Sequence, residues 1–335
     1  MKKFFSLFIF AFLALLLIGC QKKEQPKART FKADGTYLAY QMFGEEKEIK
    51  PSEETATLPE GANPSEWKGG KLFQPSLQTV EVEIQNDKVV DVRIDELQSH
   101  KNLVWDKANK ELKTSGFGAS SFNWNELTKQ QLYFNYGMNF MKEDGKPNKL
   151  GEWFIHAKAI EKHLLAQAQK GETFTALAQS TMHQEGFVKL VQEALQNAKD
   201  GVVKAVQPGE HYKNDLATIE AKVNEAGKLS NFKVNALFIG KDGDKLAVLD
   251  KYAKYPVMSH DPSDPSPKKW QDQIDLINKW LNAGKYHETL TPAKVKNYKG
   301  LIVNGEAVEA LAGVTIQTHG TVAVIHKLFK YFKQA

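Results

Sequence analysis

Cysteine is almost missing: one residue in 335, Cys20, which excludes an internal disulfide and a site built from several thiolates. An excess of one charge is missing too. The 45 Lys and Arg stand against 40 Asp and Glu, a formal charge of +5, too even for a nucleic-acid partner. No apolar run reaches the roughly 18 to 20 residues that cross hydrocarbon, since Phe4 to Ile18 falls short. Nor is there a Ser–His–Asp order, a G-x-x-x-x-G-K loop or a dinucleotide G-x-G-x-x-G. His156 and His163 share a helix face at a spacing of seven, but no acid accompanies them at ligand spacing. A solvated pair is expected there, and no metal site.

What is present begins at the N-terminus. "MKKFFSLFIFAFLALLLIGC" has a basic start, a short apolar segment and Gly19-Cys20. That order describes a secretory signal, with residues 1–19 as the leader. "LIGC" resembles the lipobox of bacterial lipoproteins, which implies that Cys20 is acylated and becomes the mature N-terminus. Cleavage there would lower the formal charge by the two units that Lys2 and Lys3 carry. Residues 20–32, "CQKKEQPKARTFK", have no apolar period and read as a flexible tether. The expected location is the extracytoplasmic face of the cell membrane, held by lipid. A conventional secreted chain with a stray thiol, or an N-terminal membrane anchor, is the alternative.

The body repeats itself. Thr79–Leu97 lies over Thr218–Leu237 with one inserted residue, and Val104–Lys110 over Val248–Lys254. Glu152–Ala166 lies over Lys269–Ala283, and Thr175–Leu195 over Glu309–Phe329. Four blocks in one order predict two copies of one domain, at 33–200 and 215–335, with 201–214 as a linker. Val80, Val82 and Ile84 alternate with Glu81 and Glu83, and "VVDVRI" resumes the period after "QNDK", which predicts a hairpin. The Trp153 block predicts a helix. Phe187, Leu190, Val191, Ala194 and Leu195 fall at helical spacing and predict another. Strands followed by helices in each copy give an α+β class. The Glu-, Pro- and Gly-rich stretch between 41 and 76, and "SHDPSDPSPKK" before Trp270, read as surface excursions. "TSGFGASSF" (Thr114–Phe122) reads as a loop.

The fourth block carries the chemistry. In "EALAGVT" Gly313 permits a sharp turn, and Thr315 is placed at the N-terminal end of the last helix. A helix N-terminus offers unpaired N–H groups and a positive dipole end, which suit a phosphate. A hydroxyl there is either a plain N-cap or an attachment point whose anion the backbone already solvates.

"E-A-L-A-G-V-T" resembles the flavinylation motif of the FMN-binding domain family, which includes the covalent-flavin subunits of the sodium-pumping quinone reductase and Rnf complexes. The family pattern is Asp-x-x-Ser-Gly-Ala-Thr, with FMN esterified through its phosphate to the threonine. The resemblance implies that Thr315 bears FMN and Gly313 forms the turn, with Glu309, Ala312 and Val314 at the places of Asp, Ser and Ala. In the first copy Thr181 takes the threonine place, but Ala178, Gln179, Ser180 and Thr175 replace the other four. Losing glycine and acid together leaves recognition of Thr181 open. The two-copy layout with a lipid anchor is similar to extracellular electron-transfer flavoproteins of Gram-positive bacteria, so the resemblance covers nearly all of the mature chain. A Tyr-Gly-Met run occurs in that group, which implies that Tyr136 and Met138 lie near the flavin ring; core packing is the other account of Met138. The implied partners are a flavin transferase, a membrane quinone or dehydrogenase as electron donor, and an extracellular electron acceptor. The implied role is an electron carrier, not an enzyme with its own substrate. Two rivals remain at this point: a lipoprotein that binds a solute or peptide, and a precursor whose cleaved leader is a pheromone.

Overall fold

The computed structural model describes residues 28–49, 70–101, 103–106, 108, 111–114, 122–136, 151–208, 215–242, 245–254, 270–292, 301–304, 306–308, 311, 314, 316 and 318–332. Cys20, Met138, Gly313 and Thr315 lie outside them, as do the leader and the proline-rich stretch before Trp270.

The alternating run builds a hairpin. Strand β1 (Gly35–Ile49) pairs antiparallel with β2 (Gly70–Gln85), which pairs with β3 (Lys88–Lys101). Asn86 and Asp87 make the turn with φ of 50° and 60°, the left-handed pair of a tight two-residue hairpin. The Asp34 carboxylate accepts from both their backbone N–H groups, at 2.8 and 3.2 Å. A bulge at Glu83/Ile84 explains how "VVDVRI" keeps its apolar face. Val89, Val92 and Ile94 are buried while Val90 is exposed. Strands β4 (Leu103–Asp106) and β5 (Glu111–Thr114) form a separate two-stranded sheet, and β6 (Phe122–Trp124) completes the main one in the order β1-β2-β3-β6.

After a short helix α1 (Lys129–Leu132) and a 3-10 turn (Tyr133–Asn135) come two longer helices, α2 (Trp153–Lys170) and α3 (Glu185–Asp200). Helix α2 packs on β3, and α3 on β1 and β2. The periodic residues Phe187, Leu190, Val191 and Ala194 all lie in the core. Gly201 ends α3 at φ +64°, and a Cβ there would meet the Val223 carbonyl oxygen at 2.6 Å.

The second half repeats the plan. Strands β7 (Val202–Pro208), β8 (Leu216–Val223), β9 (Leu229–Asp242) and β10 (Lys245–Asp250) form an antiparallel meander in that order. Short helix α4 (Lys251–Lys254) and α5 (Trp270–Asn282) pack on β9. Strands β11 (Thr291–Pro292), β12 (Leu301–Val303) and β13 (Glu306–Ala307) form a small sheet, and α6 (His319–Tyr331) lies on β7 and β8. One pair of contacts shows the correspondence well. The Ile94 N–H donates to Glu161 Oε1 at 3.0 Å, and the Val234 N–H to Asn278 Oδ1 at 2.7 Å. Glu161 and Asn278 are matched positions of the third block, and Ile94 and Val234 of the first.

Four expectations change. The segment 201–214 is not a linker at its start, because β7 occupies 202–208 and hydrogen-bonds along β8. The stretch from 41 to 76 is strand at both ends, through β1 and β2, and residues 50–69 lie outside the described residues. The second block does not hold: β10 belongs to its main sheet, whereas among the described residues β4 pairs with β5 alone, and β6 takes the fourth place. The expected loop at 114–122 ends in strands β5 and β6, and 115–121 lie outside the described residues. The class is mixed α+β with antiparallel sheets, as the alternation and the helical spacing predict.

Phe31–Ala335 forms one compact unit. One apolar core runs through both halves, and Leu38, Leu77, Leu97, Trp124, Val206 and Leu216 form a second cluster contributed by both sheets. Among the described residues no helix is long and apolar enough to cross a membrane.

Candidate functional site

Before its last long helix each half has a turn, and the described residues of the two turns share a backbone hydrogen bond. The Ser180 N–H donates to the Leu177 carbonyl at 3.0 Å, and the Val314 N–H to the Leu311 carbonyl at 2.9 Å. The helices then open at matched positions, with Gln184 and Thr318 as N-caps. Val188 N–H reaches Gln184 O at 2.9 Å, and Val322 N–H reaches Thr318 O at 2.8 Å. The helix therefore begins later than expected. Thr181 precedes its N-cap by three residues, and position 315 precedes Thr318 by the same number. Neither N-cap side chain bonds to its helix, so the leading N–H groups are not capped from that position.

The first turn closes without the glycine that the motif has. Gln179 is exposed and is not among the residues with positive φ, so its backbone needs no left-handed freedom. Thr181 is exposed at the same turn. In the second turn Leu311, Val314 and Ile316 are buried and hold it against the core. Gly313 and Thr315, the residues expected to carry the flavin, lie outside the described residues.

Side chains pin the first turn from beneath. The Gln184 amide, buried, accepts from the Leu177 N–H at 2.8 Å and donates back to the Leu177 carbonyl at 3.0 Å. Gln167 does the same for Thr175, accepting from its N–H at 3.2 Å and donating to its hydroxyl at 2.8 Å. His163 Nε2 lies 3.1 Å from the Thr175 carbonyl. His156 overturns the expectation of a solvated histidine. It is fully buried, with Nδ1 at 2.9 Å from Ser180 Oγ. Burial pushes its pKa below the ordinary value, with the Gly151 backbone pulling partly the other way, although Nε2 has no hydrogen-bond partner. His183 is exposed and His319 half-buried, and they follow their threonines at different offsets. Among the described residues no group of acids and histidines could hold a metal ion.

Tyr136 joins a different cluster. Lys129 Nζ lies 4.8 Å from its ring centroid and 5.7 Å from that of Trp153, while pairing with Glu96 at 2.7 Å. In the second half Lys251 Nζ lies 5.3 Å from the Trp270 ring and pairs with Asp215. Both lysines are buried, and each rests on the tryptophan that opens a long helix. Tyr136 thus packs on the core beside a cation. The sequence showed Trp153 and Trp270 as a repeated pair but matched Lys251 to Lys107, hiding the role of Lys129. The Gln167 and Gln184 clamps carry no pattern at all. The match of His156 to Gln273, visible in the third block, was the signal that was missed.

A cleft of about 490 Å³ lies where the halves meet, lined by Glu81, Arg93, Lys327, Lys330 and Tyr331 among others. Part of its charge is paired. Arg93 approaches Glu81, Glu83 and Asp91, at 3.9, 3.5 and 3.2 Å, and the Tyr331 hydroxyl donates to Glu81. Burial raises the Tyr331 pKa, with the Glu81 charge adding to the rise, and burial lowers that of Lys327. Comparison with protein-family models, with curated proteins and with solved structures gives no match.

Proposed function

We propose that the chain is a lipid-anchored extracytoplasmic flavoprotein, with two tandem FMN-binding domains, that carries electrons between a membrane quinone or dehydrogenase and an extracellular acceptor. FMN is esterified to Thr315 and, in the first half, to Thr181. The supporting observation is the pair of matched turns, each with a threonine position three residues before an N-cap whose side chain does not cap its helix.

The residues present fit such a group. At Thr181 an exposed hydroxyl-bearing residue sits on a turn already fixed by backbone and side-chain bonds, within reach of a transferase. The N-terminal ends of α3 and α6, to which neither N-cap side chain bonds, carry the positive dipole end that suits a phosphate diester's negative charge. Attachment requires a flavin dinucleotide and a flavin transferase. The threonine oxygen bonds to the flavin-side phosphorus, the phosphoanhydride breaks, the nucleoside monophosphate leaves, and the hydroxyl proton passes to base. Bound flavin would supply the redox chemistry, while this chain would hold it against diffusion. The first half's aromatic and lysine cluster, Tyr136, Trp153 and Lys129, belongs to the core in this account.

The test is the intact mass of mature protein matured with its transferase, together with in-gel flavin fluorescence after denaturation. One FMN increment per occupied threonine is expected, and Thr315→Ala should remove one. Unchanged fluorescence in that variant would move the flavin to Thr181. A colourless chain of unmodified mass would overturn the proposal in favour of a solute-binding lipoprotein.

A further inference from the structure

The third sequence block places His156 and Gln273 at one position, four residues into each matched segment and one helical turn beyond Trp153 or Trp270. Both side chains are fully buried, at 0 % exposure, where a polar group must have a specific reason to stay. Gln273 reaches the turn's backbone directly, and His156 reaches the matched point through a hydroxyl. Gln273 Oε1 accepts from the Ile316 backbone N–H at 3.0 Å. His156 Nδ1 lies 2.9 Å from Ser180 Oγ, which in turn accepts from the Met182 N–H at 3.2 Å. Met182 and Ile316 are matched residues, each one past the threonine position. Where the second half has a direct bond and Val314, the first half has a shorter ring and Ser180 as the intermediary.

We propose that His156, acting through Ser180, is the positioning residue for the Thr181 turn. It anchors the amide following the threonine, so that the hydroxyl is held for transfer before any flavin arrives. This rests on the flavin attachment proposed above. Holding the acceptor in place raises a bimolecular transfer rate by removing unproductive turn conformations. Two unrelated side chains doing one job at one helix position argue that the anchor itself is what the position supplies.

The test uses the full chain carrying Thr315→Ala, so that Thr181 is the remaining acceptor. Amide hydrogen exchange at Met182 and the rate of mass gain with transferase and flavin dinucleotide are followed in parallel. In His156→Ala, Met182 should exchange about tenfold faster, the order of effect of losing one intramolecular hydrogen bond. Flavin gain should slow about tenfold, with exchange at Val188 in α3 unchanged. Ser180→Ala should do the same. The double change His156→Gln with Ser180→Val, which copies the second half, should restore both and guards against a simple failure to fold. Faster Met182 exchange with an unaltered loading rate overturns the proposal, as does unaltered exchange in His156→Ala. A Thr315→Ala parent whose Thr181 gains no flavin overturns it as well. If the unsubstituted chain gains none either, the attachment reading falls with it, and amide exchange alone then judges the anchor.

Discussion

A neutral imidazole sealed from water gives the fold a pH dependence of known sign. Burial holds the His156 pKa below its ordinary value of 6.5, so the unfolded chain binds that proton more readily than the folded one. The contribution is therefore complete above about pH 6.5 and is lost as pH falls through and below that value. Thermal unfolding followed from pH 8 to pH 5 should show stability falling on the acid side, by up to about 1.4 kcal/mol per pH unit for one proton. His156→Gln should flatten that part of the curve. Equal slopes in the two proteins would mean that other groups carry the acid sensitivity. At this scale the sequence was least legible. A spacing of seven puts His156 and His163 on one face of α2 but does not say whether that face meets water or core. His156 faces the core at 0 % exposure, and His163, half-exposed, binds the loop at Thr175.

Among the elements, the end of α3 is tightly constrained. Gly201 combines a left-handed φ of +64° with a prospective Cβ contact of 2.6 Å to backbone, and the Val223 carbonyl there belongs to β8 and cannot swing aside cheaply. Gly201→Ala should lower stability by about 1 to 3 kcal/mol, more than the few tenths of an ordinary surface change. Gly171→Ala offers the control. It also has a left-handed φ, +67°, but nothing lies within 4 Å, so only backbone strain is added and the loss should be smaller. Denaturant midpoints of the two variants check the order. Elements were the scale best read in advance. The hairpin and α3 follow from periods of two and 3.6 that burial imposes and that no long-range fact can disguise. What misled was local resemblance. Thr315 looks like an N-cap because threonine often is one, yet the N-cap of α6 is Thr318, three positions further on. "VWDKANK" looks like "VLDKYAK", yet pairing with β3 went to β6, since strand pairing is decided by partners far along the chain.

The whole molecule joins its halves through parts that the repeat does not show. Helix α6 sits on β7 and β8, but its C-terminal end reaches the other half. Phe332 packs edge-on to Tyr37 of β1 with ring centroids 5.1 Å apart, and its ring fills the space beside Gly35. Tyr331 donates to Glu81 of β2. From the other side Tyr40 of β1 bonds Thr218 of β8, and burial raises its pKa to about 12. Lys204 of β7 pairs with Glu193 of α3 at 2.9 Å. These contacts lie at sequence separations that no window of residues covers, so composition and spacing could indicate two copies but not how they lock. The consequence is a cooperativity claim. With a continuous core and a shared second cluster, the halves should unfold in one transition, with calorimetric and van't Hoff enthalpies equal. Phe332→Ala removes a ring that is 3 % exposed and should cost about 3 to 5 kcal/mol, the range for deleting a buried aromatic. Its effect should appear equally in amide exchange of β1 in the first half and β8 in the second. If the substitution instead splits the melt in two, with β1 unprotected while β8 keeps its protection, then the halves are thermodynamically separate and the junction is only a surface between them.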